Sequence, residues 1–221
     1  NGNALAMQIP VGASEEFNAV IDLLTQKMSI FSLDDKGTKV TWQEIPDEYK
    51  EQAKEMRLRI VEKACDLDDA LAEKFLNEEE ISLPEIKAAI RKGVLDRKIT
   101  PTFCGSAFKN KGVQLLLDAV VDYLPSPLDI PPVESSDKTQ SRNPDPNAPF
   151  SALVFKIMTD PFVGVLSFIR VYSGTIKSGS YVYNATRNVT ERVSRLIKLH
   201  ANKKEEILEL KAGDIGAIVG V

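Results

Sequence analysis

Residues 125–149 contain seven prolines interleaved with serine, aspartate and asparagine, in a chain of 221 residues. Proline fixes φ and removes a backbone donor, and so few apolar side chains cannot form a core, so the stretch reads as a linker, extended and partly mobile. The chain therefore folds as two parts with a core each. Before the linker, strand-like runs give way to helical periods; after it, every apolar run is short and bounded by turn residues. The charge reverses as well. Residues 44–80 hold thirteen acidic and six basic side chains, a net of minus seven, whereas residues 150–221 hold ten basic and six acidic, a net of plus four. The first segment would repel nucleic acid; the second suits a phosphate backbone.

Several function classes drop out. No run of eighteen apolar residues and no leader-like amino-terminal segment occurs, so neither a membrane span nor a signal peptide is indicated. Cys65 and Cys104 lie far apart in apolar surroundings, with no CxxC and a single histidine, which disfavours a metal site and a disulfide framework and favours a reducing cytoplasm. No G-x-x-x-x-G-K-[ST] loop is present, and no catalytic triad can be assembled around His200, which reads as a structural or rim residue. No residue is assigned a catalytic role. The chain begins at Asn1 without methionine and stops inside the apolar run Ala217–Val221, as an excised piece of a larger protein would.

In chain order, Gln8–Gly12, Val20–Leu24 and Lys27–Phe31 have strand character. A polar turn at Asp34–Gly37 leads to the alternating run Lys39–Trp42, and together these predict a small antiparallel sheet. From Pro46, which suits a first helical position, Tyr49, Ala53, Met56 and Ile60 recur on one helical face. Glu48, Glu51, Glu55 and Glu62 occupy the opposite face with Arg59 among them, either as a solvated surface or as a docking face for a basic partner. Further helices are predicted over 68–77 and 82–92, the latter with the Ser82/Glu85 spacing of a capping box. Beyond the linker, strands are predicted over 152–158, 165–172, 181–184, 191–199 and 215–219, which argues for a small barrel or sandwich. Arg187, Arg192, Arg195, Lys198, Lys203 and Lys204 cluster there, as a solvent face or a contact to phosphate. Residues 216–221 are expected to lack a strand partner and to offer an edge for weak association; otherwise the chain should be a monomer.

The stretch with the most specific chemistry is Thr100–Gly112, TPTFCGSAFKNKG, followed by the apolar period Val113, Leu116, Leu117, Val120 and Leu124, read as the buried side of a helix. A strand that ends on small residues and turns directly into a helix is where open α/β sheets place ligands.

GSAFKNKG with VQLLLDAVVDYLPSPLD, DPFVGVLSFIRVYSGTIKSGS and LKAGDIGAIVGV resembles bacterial translation elongation factor G, over essentially the whole chain. The resemblance implies an α/β (α+β) remnant of a GTP-binding domain over 1–124 with an inserted subdomain at about 11–97, then the linker, then the all-β barrel of translational GTPases over 150–221. It implies that Ser106, Ala107 and Phe108 contact a guanine base through backbone groups and the serine hydroxyl. GTP or GDP with Mg²⁺ would be the cofactors of the parent protein, a cytoplasmic GTPase that drives ribosomal translocation in protein biosynthesis. This chain, without phosphate loop or switches, would bind neither and be inactive alone. The implied partners are stalk proteins of the large ribosomal subunit at the acidic face and small-subunit ribosomal RNA at the basic one. A paralogous ribosome-protection or release-factor GTPase and a non-enzymatic ribosome-binding adaptor are the alternatives. Two positions depart from the family: Asn18 stands where relatives often have glycine, and Lys204 where they often have arginine.

Overall fold

The structure, a computed structural model, describes residues 3–31, 39–201 and 203–220; the turn expected at Asp34–Gly37 lies outside them. The chain divides into two compact units, Asn1–Pro125 and Ser126–Val221.

The first unit contains β1 (Ala4–Ala6), β2 (Gln8–Val11), β3 (Ala19–Asp22), β4 (Lys27–Phe31), β5 (Val40–Gln43), α1 (Asp47–Cys65), α2 (Asp69–Leu76), α3 (Leu83–Leu95), β6 (Thr100–Thr102) and α4 (Val113–Tyr123). Strands β2 to β5 form an antiparallel sheet in sequence order, and β1 pairs with β6 in parallel. The expected helix face of α1 is the one that packs: Ala53 and Ile60 are buried, Tyr49 and Met56 pack against them, and Ala64 extends the stripe. They meet Ile21 and Leu23 of the sheet and Ile86 and Ile90 of α3 in one core. Pro46 sits one position outside α1, as its N-cap. Asp68 caps α2 by accepting from the amides of Ala70 and Leu71. The capping box of α3 is formed: Glu85 accepts from the Ser82 amide at 2.9 Å and the Ser82 hydroxyl at 2.7 Å, and it also pairs with Lys74.

Helix α4 corrects the sequence reading. Leu116, Leu117, Val120 and Leu124, expected inside, are exposed, and Ala119 and Tyr123 are the buried residues. A helix this apolar has more than one face to cover, and its buried side is the one toward α3 and the Phe103 ring.

The second unit is all β: a hairpin of β7 (Val133–Glu134) and β8 (Ser141–Arg142), then β9 (Ser151–Asp160), β10 (Gly164–Ser173), β11 (Thr175–Lys177), β12 (Tyr181–Asn184), β13 (Val189–Arg192), β14 (Leu196–His200), β15 (Lys203–Ile207), β16 (Glu209–Lys211) and β17 (Ile215–Val219). An antiparallel sheet runs β15-β14-β17-β10-β9, with β11–β16 and β12–β13 as further pairs. The end of the proline-rich stretch, residues 145–149, is docked on the second unit. Its carbonyls accept from the unit: Asp145 O from the Gly174 amide at 2.8 Å, Pro146 O from the Thr175 hydroxyl at 2.8 Å and Pro149 O from the Ser173 hydroxyl at 2.7 Å. A proline lacks a donor but keeps its acceptor, which is enough for docking without a core. The strand expected over 191–199 breaks at the fully buried Val193, which bonds to Gly179 and Ser180 instead. Strand β17 is central, paired on both sides by β10 and β14, so 215–219 is not the unpartnered edge. The edges are β9 and β15. No described helix is long and apolar enough to cross a membrane.

The α3 cap gives a pH prediction. Lys74, then the Ser82 hydroxyl and amide, lower the Glu85 carboxyl from its usual value to about 2. A lowered carboxylate stabilises the fold above the unfolded-state pKa, about 4.3, and that contribution disappears as pH falls toward about 2. Glu85→Gln should flatten the acid side of the stability profile, read by urea unfolding between pH 5 and pH 2; an unchanged slope contradicts the assignment.

Candidate functional site

The turn after β6 is built by two glycines in contact. At Gly112, with φ +78°, a Cβ would lie 2.7 Å from the Cys104 carbonyl oxygen and 3.2 Å from the Gly105 Cα; at Gly105 it would lie 2.9 Å from the Lys111 carbonyl oxygen. Only hydrogens fit there, so strand exit and helix entry close on each other. Between them Ser106 and Lys111 exchange both backbone bonds, Ser106 N to Lys111 O at 2.8 Å and Lys111 N to Ser106 O at 3.0 Å. Asn110, with φ +53°, donates its amide to Ala107 O at 3.1 Å and reverses the chain.

The result is a small projecting loop. Ala107 is exposed and Phe108 is 99% exposed, while Ser106 is half-buried. The Ser106 amide is used internally, whereas among the described residues no internal acceptor takes the amides of Ala107 and Phe108. The exposed tip of the loop therefore leaves two backbone donors uncommitted. It is tied down from the side. Lys109 Nζ lies 2.5 Å from Glu15 Oε2, and that bond with the lysine charge lowers the Glu15 carboxyl pKa. Lys111, 4% exposed, donates its ammonium to the Phe17 carbonyl. Burial raises the pKa of the nearby Cys104 thiol, which is the reverse of activation. Asn18, the departure from glycine, has no left-handed backbone: its amide donates to Val11 O at 3.3 Å and its carbonyl accepts from Phe31.

Glu48, Glu51, Glu55 and Glu62 are all exposed along one stripe of α1, and Glu55 pairs with Arg59 at 2.6 Å. Only Glu51 and Glu55 also border an open groove of about 490 Å³ between α1, α2 and α3. Its floor is Leu58, Val61, Phe75, Ile81 and Ile86. The sequence reading missed this apolar floor, although Leu58 falls three residues after Glu55 in the same stripe.

The basic residues Arg187, Arg192, Arg195, Lys198, Lys203 and Lys204 are all exposed, and two of them have acidic partners within the unit. Arg187 pairs with Glu191 at 3.1 Å, and Lys204 pairs with Asp160, whose carboxyl pKa that contact lowers. Lys204 is thus committed within the unit. Lys198 faces Glu205 and Lys203 faces His200 across β14–β15, while Arg192 and Arg195 flank the break at Val193. His200 lies 3.4 Å from Glu205 on this exposed surface.

A family model described as elongation factor G domain 2 matches residues 149–221. That is the part of the chain from the end of the proline-rich stretch onward. Over these residues the match bears out the resemblance to elongation factor G drawn from the sequence. A crystal structure of a protein from Thermus thermophilus is similar in fold over 99% of this chain, with a TM-score of 0.77 and 22% identity. The chain spans 30% of the length of that structure. The fold class is as expected, a mixed α/β unit followed by an all-β unit, the latter being the part that the domain 2 model matches.

The turn geometry predicts that Gly112→Ala destabilises the first unit by about 1–3 kcal/mol, from positive φ and the blocked contact with Cys104. Urea unfolding followed by helical circular dichroism measures it, and wild-type stability in that variant would contradict the close packing of the two glycines.

Proposed function

We propose that this chain is part of a translational GTPase of the elongation factor G type, bearing the guanine-facing turn, the partner-docking insertion and domain 2. The domain 2 match over 149–221 carries the reading, supported by a fold likeness that extends over the first unit. In the whole protein the activity is GTP hydrolysis coupled to movement of tRNA and mRNA through the ribosome in the cytoplasm.

The role of the turn follows from its donors. The Ala107 amide, with the Ser106 hydroxyl beside it, faces a base that offers an acceptor, the guanine O6. An adenine would set its amino donor against the same amide, leaving a donor unpaired, and buried unpaired donors are strongly rejected. Ser106, Ala107 and Phe108 thus select the base. GTP with Mg²⁺ supplies the phosphoryl chemistry when bound, and the groups that neutralise its phosphates have no counterpart motif in this sequence. The chain by itself is therefore inert. Isothermal titration with GTP should give no heat, and micromolar binding contradicts this.

The groove of the first unit is the docking site for a stalk protein of the large ribosomal subunit. Its apolar floor would take a helix; Lys54 and Arg57 share its border with Glu51, Glu55 and Glu79, Glu55 is weakened by its Arg59 partner, and the excess of acid, extended by Glu48 and Glu62 along α1, favours a basic helix. Domain 2 contributes Arg192, Arg195, Lys198 and Lys203 toward small-subunit RNA, with Arg187 and Lys204 weakened by their internal partners. Replacing Glu51 and Glu55 by Lys should weaken capture by stalk protein about tenfold, and Leu58→Ala should do the same. Unchanged capture in both variants returns this face to plain solvation.

A further inference from the structure

Lys111 is buried as few lysines are. At 4% exposure its ammonium needs a partner inside the protein, and the partner is the carbonyl of Phe17, 94 positions earlier. Two residues before it, Lys109 reaches the same segment at Glu15. One lysine bonds inside and the other at the surface, so the loop 106–111 is held to the 12–17 turn at two depths.

That turn is itself fixed. Gly12 has φ +78°, and a Cβ there would lie 2.3 Å from Glu16 O. The Phe17 ring lies 6.2 Å from that of Phe31 in β4, and the Phe31 amide donates to Asn18 O at 3.0 Å. At the other end, the backbone of Lys111 exchanges two hydrogen bonds with Ser106. A continuous path therefore runs from Ser106 through Lys111 and Phe17 to the buried Phe31 of the antiparallel sheet.

We propose that Lys111 is a positioning residue for the Ser106–Phe108 turn, fixing its height against the β2–β5 sheet through the Phe17 carbonyl, with Lys109–Glu15 as an outer tie. The inference takes from the proposed function the reading that this turn faces a base, but the tie exists whether or not a base is bound. An ammonium suits the task as a point donor to a carbonyl. Methionine would fill the space and leave that carbonyl unpaired, whereas arginine keeps a donor.

The test is hydrogen exchange by mass spectrometry on the full chain without nucleotide, so that its failure is distinct from failure of the base reading, which would appear as lost guanine preference with the tie intact. Lys111→Met should speed exchange of the hydrogen-bonded amides of Ser106, Asn110 and Lys111 by at least about tenfold, with α1 and β2–β4 unchanged, and Lys111→Arg should restore most of the protection. Unchanged exchange in the turn, or a rise spread evenly over the unit, overturns the proposal. If Lys111→Met unfolds the unit, the exposed pair decides: Lys109→Ala should speed exchange in the turn about threefold and leave the sheet alone, and no local change overturns the proposal.

Discussion

Three residues of parallel strand set the plan of the first unit. Ala4, Leu5 and Ala6 run beside Thr100, Pro101 and Thr102, and the pairing is extended by Thr100 N to Asn3 O at 2.8 Å and Met7 N to Thr102 O at 3.0 Å. Closing a loop of about 95 residues costs about 4 kcal/mol before constants, more than so short a ladder returns. The joint holds because everything within the loop condenses onto one core, in which Met7 and Ile99 at its two ends meet Ile60, Ile86 and Ile90. The same joint aims the chain at Cys104 and delivers it to the glycine-paired turn. The core within the loop and the turn that follows it are consequences of one closure.

The second unit solves a different problem. Its sheet has two edges, and they are treated in opposite ways. On β15, Lys203, Lys204, Glu205 and Glu206 are exposed in succession, a charged border that discourages further pairing. On β9, Leu153, Val154, Phe155, Ile157 and Met158 are exposed with only Lys156 among them. The charge of this unit is likewise spent partly on itself, through Asp160–Lys204 and Glu191–Arg187. Net charge counted along a sequence overstates what such a surface offers to a phosphate backbone.

Much of the fold was legible in residue patterns. The Tyr49–Ile60 period, the Ser82/Glu85 box and strands 181–184 and 215–219 appear where local rules put them. What escaped was set by partners distant in sequence. The faces of α4 depend on which neighbours are there to cover them; the strand break at Val193 depends on Gly179 and Ser180; the docking of 145–149 uses carbonyls that composition hides. For the turn, the residues that face outward, Ala107 and Phe108, were legible as a motif, but the burial of Lys111 was not. In sequence it reads as one more basic residue in a loop, and only the approach of Phe17 shows that its charge is turned inward.

The proposed function makes these residues part of an elongation factor G-type machine that works on the ribosome. Competition binding tests it most directly: bacterial ribosomes pelleted with this chain, then challenged with intact elongation factor G. The chain should sediment with ribosomes and be displaced by the intact factor. Failure to sediment, or sedimentation that the intact factor does not reverse, would contradict it.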